Sequence, residues 1–241
     1  MISKNQIKWI RQLEQKKFRK RDGLFVAEGP KIVGDLMRRY KPHTVFATSD
    51  WEGSVDVSVS DDELRKISFL QHPQQVLAVF HIPTVTSSID TTQLYLALDG
   101  IQDPGNLGTI IRIADWFGIK TIFCSQDTVD AYNPKVVQAT MGSIARVEVV
   151  YTNLAELFTS LPADFPVYGT LLDGENLYSK QLSAAGMIIM GNEGNGISQP
   201  IRPFVHHRLL IPQYSEGDTA ESLNVAIATA ITCAEFRRRT C

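Results

Sequence analysis

The stretch LYLALDGIQDPGNLGTIIR, residues 94–112, decides the fold of the second half of the chain. Its first five residues, Leu94–Leu98, are apolar and predict a buried strand. A loop rich in glycine and acidic side chains then leads into a predicted helix over about residues 107–117. Open α/β folds carry their chemistry on polar side chains at the carboxyl ends of strands. Residues 99–112 are therefore the first candidates for a functional site.

Apolar strands alternate with helices through the rest of this half of the chain. The predicted strands cover residues 94–98, 121–124, 147–150, 167–171, 187–190 and 209–211, and the predicted helices cover about 107–117, 134–142, 153–160, 199–204 and 222–239. This alternation predicts an α/β fold in which a mostly parallel sheet carries helices on both faces.

The N-terminal part of the chain has a pattern of its own. A helix is predicted over residues 3–20, and strands are predicted over residues 24–27, 44–47 and 76–80. The polar segment PTVTSSIDTTQ, residues 83–93, then has the composition expected between domains. We therefore predict a small α/β domain over residues 1–85, a linker over residues 86–93 and the larger α/β domain over residues 94–241.

Basic residues concentrate near the N-terminus, although the whole chain has a net charge of −2. Residues 1–41 contain 12 Lys and Arg against 4 Asp and Glu, out of totals of 24 and 26. This asymmetry predicts one region that meets a polyanion and a larger acidic remainder. A solvated helix face is the alternative interpretation of the densest basic run. If that run contacts RNA phosphates, the side chains involved are Lys16, Lys17, Arg19, Lys20 and Arg21.

Two further polar stretches follow late strands of the predicted sheet. GNEGNGI, residues 191–197, comes directly after an apolar strand, and its glycines permit close approach of a ligand to the backbone. SLNVA, residues 222–226, opens the last predicted helix, whose first N–H groups lack helical partners. Simpler explanations exist for each stretch. Asn106 could cap a helix, Arg112 could be a surface residue, residues 192–196 could be only a turn, and Ser222 could be only a helix cap.

Several other classes of site lack their patterns in this sequence. Neither G-x-G-x-x-G after the first strand nor G-x-x-x-x-G-K-[ST] occurs. His206 and His207 precede a predicted strand and are interpreted as structural, and no convergent set of ligands predicts a metal. The three cysteines form no C-x-x-C pair, no apolar run approaches the roughly 20 residues of a membrane span, and no signal peptide is evident. These features predict a cytoplasmic protein.

Taken in order, the three polar stretches resemble the motifs of the SpoU (TrmH-type) RNA 2′-O-ribose methyltransferases of the SPOUT superfamily. The first family motif has an Asn followed six residues later by an Arg, matched by Asn106 and Arg112. The second is Gly-x-Glu-x-x-Gly after an apolar strand, matched within residues 191–196. The third is Ile-Pro, a short loop and Ser-Leu-Asn-Val, matched by residues 211–212 and 222–225. The loop over residues 213–221 departs from the pattern, because it is slightly long and lacks the methionine that often follows the proline.

The resemblance, which covers about residues 94–239, implies a trefoil-knotted second domain that binds S-adenosylmethionine. It also implies a homodimer, with RNA-facing residues contributed across the interface, and a first domain similar to RNA-binding ribosomal proteins. The catalytic residues it implies are Arg112, Asn106, Glu193, Ser222 and Asn224. The cofactor-binding residues it implies are Thr170, Leu171, Gly191, Asn192, Gly196, Ile211 and Leu223. Arg112 would stabilise negative charge on the attacking ribose hydroxyl, since arginine is almost always protonated.

Other functions stay open from the sequence alone. A non-catalytic RNA-binding protein that retains the fold is the main rival. A tRNA ribose methyltransferase, a knotted enzyme that methylates a base, and a drug-resistance methylase of the same family are further alternatives. The separate N-terminal domain favours rRNA over tRNA, by analogy with relatives.

Overall fold

In a computed structural model of the chain, residues 2–85, 88–215, 217 and 221–238 are described. The helices and strands in chain order are α1 (Lys4–Gln12), α2 (Lys16–Asp22), β1 (Leu24–Glu28), α3 (Pro30–Met37), β2 (Pro42–Ala47), β3 (Val57–Ser58), α4 (Asp61–Ile67), β4 (Val76–His81), β5 (Leu94–Asp99), α5 (Pro104–Trp116), β6 (Thr121–Cys124), α6 (Pro134–Ala139), β7 (Glu148–Tyr151), α7 (Leu154–Thr159), β8 (Val167–Asn176), β9 (Gly186–Gly191), β10 (His207–Leu210) and α8 (Val225–Arg238). Short 3-10 helices cover Ser143–Ala145 and Arg202–Phe204.

The chain forms two compact units. The first unit consists of Met1–Thr84 and Asp130–Arg146, and the second of Val85–Val129 and Val147–Cys241. The sequence placed residues 130–146 in the second domain, but in the structure they pack within the first unit, where α6 lies against β1. Of the predicted linker, residues 86 and 87 lie outside the described residues.

The first unit is built on a four-stranded sheet in the order β1-β4-β2-β3. Strand β4 pairs antiparallel with both β1 and β2, while β3 pairs parallel with β2. A core on one side of this sheet is formed by apolar side chains from α1, α4 and the strands, among them Ile10, Leu13, Leu64, Leu77 and Val79. The sheet and its helices make this unit a small α/β body.

The predicted helix over residues 3–20 is two helices in the structure. Helix α1 ends at Gln12, residues 13–15 form a break, and α2 begins at Lys16. The break is stabilised by Arg19, whose guanidinium donates to the carbonyl oxygens of Leu13 and Glu14 at 2.8 and 2.6 Å. These carbonyl groups accept hydrogen bonds from a side chain instead of from the N–H groups of a continuing helix. The apolar periodicity of the sequence could not predict this break.

The second unit contains a six-stranded sheet in the order β10-β8-β9-β5-β6-β7. Every pair of neighbours runs parallel, as the alternation of strands and helices predicted. Strands β5 and β9 are buried along their whole length, and they lie side by side in the middle of the sheet. Parallel neighbours bring their carboxyl ends to the same edge, so the loops after β8, β9 and β5 are adjacent.

Two predicted helices of this unit differ from the structure. Residues 199–204 contain only the short 3-10 helix Arg202–Phe204, because the segment holds Pro200 and Pro203, which cannot donate helical hydrogen bonds. The last helix begins at Val225 rather than at Ser222. No helix in the described part of the chain is long and apolar enough to cross a membrane.

Candidate active site

The loops after β5 and β9 are tied together at the carboxyl edge of the second unit's sheet. Asp99 ends β5 directly beside Gly191 at the end of β9. The Asp99 carboxylate accepts a hydrogen bond from the Ser198 N–H at 2.7 Å, and the Asn192 amide donates to the Gly100 carbonyl at 2.6 Å. These cross-loop bonds hold the first two polar stretches of the sequence in one place.

Three of the predicted catalytic side chains form a continuous hydrogen-bond chain at this edge. The Asn224 amide nitrogen donates to the Asn106 side-chain oxygen at 2.9 Å, and the Asn106 amide nitrogen donates to the Glu193 carboxylate at 3.0 Å. We call these three residues the Asn–Asn–Glu chain. It joins side chains that lie 87 and 118 positions apart in the sequence, one from each of the three polar stretches.

Asn106 does not cap its helix, although the sequence left that alternative open. Asp103 is the N-cap of α5, and its carboxylate accepts a hydrogen bond from the Asn106 N–H at 2.7 Å. The Asn106 side chain is therefore available for the Asn–Asn–Glu chain. Asp103 was not predicted as the cap, although an Asp directly before a Pro at the start of a helix is a recognisable N-cap signal.

Glu193 is held as a carboxylate. Burial alone would raise the pKa of this carboxyl, but hydrogen bonds from the Asn106 side chain and from the N–H groups of Gln102 and Asp103 outweigh it and lower the pKa. A carboxylate with a lowered pKa is a weak base. Glu193 is thus suited to orienting Asn106 by accepting its hydrogen bond, rather than to removing a proton.

The loop after β9 is a tight turn in which two glycines are structurally required. A Cβ atom on Gly191 would lie 2.2 Å from the carbonyl carbon of Gly196 and 2.3 Å from the Ile197 nitrogen. Gly196 has a φ of +66°, and it pairs with Asn192 through two backbone hydrogen bonds. Asn192 also accepts from the Gly194 and Asn195 N–H groups, so the turn and the site are built from the same residues.

The third polar stretch places Asn224, rather than Ser222, at the start of α8. The Asn224 side-chain oxygen accepts hydrogen bonds from the N–H groups of Ala226 and Ile227, as an N-cap residue does. Ser222 therefore does not cap this helix, and its side chain has no hydrogen-bond partner among the described residues. Ser222 and Leu223 are both exposed, with Leu223 at 50%.

Arg112 lies outside the Asn–Asn–Glu chain. Its side chain is exposed on α5 and makes no hydrogen bond or ion pair with any residue that the structure describes. Six residues along a helix separate two side chains by roughly 9 Å along the axis and by about 120° around it. Asn106 and Arg112 therefore do not point to the same spot within one chain, and Arg112 is free to meet a ligand.

The remaining predicted cofactor-binding residues lie near the same edge of the sheet. Thr170 and Leu171 are half-buried in β8, next to β9, and the Thr170 hydroxyl donates to the Ile189 carbonyl at 3.4 Å. Ile211 is half-buried directly after β10. Residues 216 and 218–220 of the connection to α8 lie outside the described residues. Across the part of the chain that is described, no cluster of three or more His, Cys, Asp or Glu could hold a metal ion.

Four of the five predicted RNA-binding residues in the first unit are exposed, namely Lys16, Lys17, Lys20 and Arg21. The prediction for Arg19 needs correction, because its side chain is only 2% exposed and pairs with Asp130 at 2.6 Å. A buried guanidinium that already has a carboxylate and two carbonyl partners cannot bind a phosphate. Arg21 is exposed but forms an ion pair with Asp22, to whose carboxylate it donates two hydrogen bonds.

Comparison with known proteins identifies the family. Residues 93–234 match the sequence model of the SpoU rRNA Methylase family, a match that includes every member of the Asn–Asn–Glu chain. The chain belongs to the SpoU family. Residues 4–78 match the MRM3-like substrate binding domain, so both parts of the chain have counterparts in known proteins.

Relatives of this SpoU protein match it over nearly its whole length. The 23S rRNA (guanosine(2553)-2'-O)-methyltransferase RlmP of Bacillus subtilis is 32% identical, with 98% of this chain and 97% of the relative covered. A TrmH-family protein from Porphyromonas gingivalis has 40% identity and a TM-score of 0.90, with 99% of each chain covered. The structure of an AdoMet-bound rRNA methyltransferase from Sinorhizobium meliloti has 30% identity and a TM-score of 0.84, with 100% of this chain and 98% of the other covered.

Proposed function

We propose that this protein transfers a methyl group from S-adenosylmethionine to a ribose 2′-hydroxyl of rRNA. The observation that carries the proposal is the Asn–Asn–Glu chain, which assembles the three motifs of the SpoU family at one edge of the sheet. Two relatives, each 32% identical, one over 98% and the other over 66% of this chain, are named as 23S rRNA 2′-O-methyltransferases. The named relatives act on guanosine, so a guanosine of 23S rRNA is the substrate we favour.

The residues at this edge fit a nucleoside cofactor bound against the backbone. Gly191 and Gly196 leave the turn without side chains that could shield its backbone, and Leu223 and Ile211 are apolar side chains that precede α8 and follow β10. Bound S-adenosylmethionine supplies a methyl group on a positively charged sulfur. The residues that we assign to holding it are Thr170, Leu171, Gly191, Asn192, Gly196, Ile211 and Leu223.

In the proposed reaction the ribose 2′-oxygen forms a bond to the methyl carbon as the carbon–sulfur bond breaks, and the hydroxyl proton is released. The task of the protein is to position the hydroxyl and to stabilise the negative charge that grows on its oxygen. We assign this electrostatic task to Arg112, whose exposed guanidinium is permanently charged. An RNA phosphate beside Arg112 is a suitable acceptor for the proton.

The remaining catalytic residues position the reacting groups. Glu193 fixes the Asn106 amide, and Asn106 in turn accepts from Asn224, so the Asn–Asn–Glu chain is held in place before a ligand binds. Ser222 has a hydroxyl without a described protein partner, and we assign it to the ribose or its phosphate. Rigid polar groups of this kind need little reorganisation during reaction.

We also propose the trefoil knot that the family resemblance implied. The order of the sheet supports it, because β10 lies at the edge beyond β8 while the following helix α8 packs against α5 and β9. A knot requires the C-terminal segment to pass back across the sheet, and this order of elements agrees with that requirement. A fold in which the cofactor residues lie on these crossing segments explains why they come from three separate stretches.

A homodimer is the assembly we favour, with RNA-facing residues contributed across the interface. Large apolar side chains are exposed on the two packed helices of the second unit, with Trp116 of α5 at 85% and Ile227 of α8 at 52%. A partner subunit seated on the surface around Trp116 would remove apolar area from water. Arg112 lies one helical turn before Trp116, so a partner seated on this surface would lie close to Arg112.

A cytoplasmic location stays a prediction. The proposal also assigns RNA binding to the first unit, through Lys16, Lys17, Lys20 and Arg21. The match of residues 4–78 to a substrate binding domain supports this assignment. A tRNA ribose methyltransferase and a non-catalytic RNA-binding protein are the alternatives.

The direct test is methyl transfer in vitro. Purified protein is incubated with radiolabelled S-adenosylmethionine and either rRNA or tRNA transcripts, and the labelled nucleosides are identified by mass spectrometry. We expect a 2′-O-methylated nucleoside from rRNA with the wild type and none with Arg112→Ala, which should still bind the cofactor. Near-normal turnover by Arg112→Ala would remove Arg112 from the mechanism. Absence of turnover together with absence of cofactor binding in the wild type would favour a non-catalytic RNA-binding protein.

A further inference from the structure

Three aromatic side chains of the first unit meet at its surface. The rings of Trp9 and His43 have centroids 5.5 Å apart, and those of His43 and His81 have centroids 5.3 Å apart. His43 and His81 are exposed, and Trp9 is half-buried. We call these three residues the aromatic cluster. None of them belongs to the SpoU motifs, and all of them lie in the first unit.

The aromatic cluster is fixed by three different elements of this unit. Trp9 lies on α1 and packs against the core beneath the sheet, which anchors one end of the cluster. His43 lies near the start of β2, and His81 is the last residue of β4. Rings held in this way lose little conformational freedom when a flat ligand stacks on them. The two exposed imidazoles contribute nothing to the buried core, so core packing does not explain their presence.

Basic residues lie on two segments that lead into the strands of the aromatic cluster and its neighbour β1. His81 pairs in register with Leu24 at the start of β1, and the Gly23 carbonyl accepts a hydrogen bond from the Ile82 N–H at 2.8 Å. Gly23 is the residue that ends α2, so this helix, with its exposed Lys17 and Lys20, terminates beside His81. The opposite flank carries exposed Lys41, two residues before His43.

We propose that the aromatic cluster stacks on unpaired nucleobases of the substrate RNA while the basic side chains of α2 hold the flanking phosphates. Proteins that bind single-stranded RNA combine aromatic rings for the bases with positive charge for the backbone, which is the combination found here. The proposal rests on the proposed function for the identity of the ligand as substrate RNA. It adds a binding site, in the first unit, that is separate from the Asn–Asn–Glu chain.

The test compares full-length variants of the two exposed histidines. His43→Ala and His81→Ala remove a ring each, His43→Phe and His81→Phe keep a ring but remove the imidazole nitrogens, and His72→Ala removes an exposed imidazole of the same unit outside the cluster. Two quantities are measured for each, the KM for rRNA in methyl transfer and the Kd for single-stranded oligoadenylate. Base stacking predicts an increase of roughly fivefold to 150-fold in both for the alanine variants.

The pattern across the variants separates stacking from other roles. We expect kcat at saturating RNA and cofactor affinity to be unchanged, the phenylalanine variants to bind RNA as the wild type does, and His72→Ala to have no effect. Unchanged KM and Kd in both alanine variants would overturn the proposal and point to a protein partner for this surface. Equal losses in the phenylalanine and alanine variants would also overturn it. A wild type that neither binds nor methylates RNA would instead refute the proposed function itself.

Discussion

At the scale of single residues, Asn106 has the most constrained position in the site. Its side chain accepts a hydrogen bond from Asn224 and donates one to the Glu193 carboxylate. Its backbone N–H donates to the side chain of Asp103, the N-cap residue. Removing the amide leaves a carboxylate and an amide without their partner. Hydrogen bonds to charged groups contribute about 1.5–3 kcal/mol, so a reaction that needs this geometry should be sensitive to the loss.

We therefore expect Asn106→Ala to lower kcat for methyl transfer by roughly tenfold to a hundredfold, with a fall of only several degrees in the melting temperature. The matched control is Asn195→Ala, because the Asn195 side chain is exposed in the adjacent turn and, among the described residues, only its N–H is hydrogen-bonded. Steady-state kinetics with saturating rRNA check the prediction. Equal kcat values for the two variants would show that the Asn–Asn–Glu chain has no role in catalysis.

Glu28 provides a prediction about pH in the first unit. Burial raises the pKa of its carboxyl, although hydrogen bonds from the Ser68 hydroxyl and the Phe69 N–H oppose the rise. Because the pKa in the folded state lies above that in the unfolded state, the carboxyl stabilises the fold fully below its unfolded pKa. This contribution is lost as the pH rises through the folded pKa.

The free energy of unfolding of the wild type, relative to that of Glu28→Gln, should thus fall as the pH rises from about 4 towards neutral. Urea denaturation at several pH values measures this difference. Glu52→Gln, which removes an exposed carboxylate of the same unit, is the control and should show no such trend. A constant difference between wild type and Glu28→Gln across this range would contradict the assignment.

At the same residue scale, sequence reasoning identified Asn106, Glu193 and Asn224 because they stand in family motifs. It could not foresee that Arg19 is buried, since its partner Asp130 lies 111 positions away. A run of basic residues looks the same in a sequence whether a member faces solvent or a distant carboxylate. The long-range fold decides between the two.

At the scale of elements, the apolar runs predicted the strands well. Parallel strands that are buried on both faces have nearly continuous apolar sequences, which are easy to recognise. Helix boundaries were harder, since they depend on capping partners. Asn224 caps α8 where Ser222 was the expected start, and Arg19 binds the carbonyl groups that separate α1 from α2. The apolar periodicity of a sequence does not show which way such polar side chains point.

The turn after β9 gives a sharp prediction at this scale. A Cβ on Gly191 would meet backbone atoms of Gly196 and Ile197 at under 2.5 Å, whereas a Cβ on Gly194 meets only the Asn192 side chain, at 3.7 Å. We expect Gly191→Ala to lower the free energy of unfolding by about 1–3 kcal/mol or more and to abolish cofactor binding measured by calorimetry. Gly194→Ala should change stability by only about 0.5 kcal/mol. Similar behaviour of the two variants would show that the turn is not tightly packed.

At the scale of the whole molecule, the sequence predicted an α/β chain in two parts but not the strand order or the place of residues 130–146. That segment lies between strands of the second unit in sequence, yet it packs on β1 of the first unit. Local patterns carry no information about such pairing, which depends on surfaces that form only in the folded chain. The family resemblance supplied the knot and the dimer, and both stay proposals.

The proposed dimer can be tested at the exposed surface around Ile227 of α8. Ile227→Glu places a charge on this surface without disturbing the core, because Ile227 is 52% exposed. We expect this variant to be a monomer in analytical ultracentrifugation, where the wild type is a dimer, and to lose most of its methyl transfer. Val55→Glu, at an exposed apolar position of the first unit, should stay dimeric. A dimeric Ile227→Glu would place the interface elsewhere.

The central claim, ribose methylation of rRNA by this SpoU protein, is tested most directly in cells. The measurement is mass spectrometry of rRNA and tRNA nucleosides from a strain lacking the protein, compared with its parent and with strains complemented by the wild type or by Arg112→Ala. The account predicts the loss of one 2′-O-methylnucleoside from rRNA, restored by the wild type and not by Arg112→Ala. Unchanged ribose methylation in both RNA classes, with the protein shown to be expressed in the parent, would contradict it.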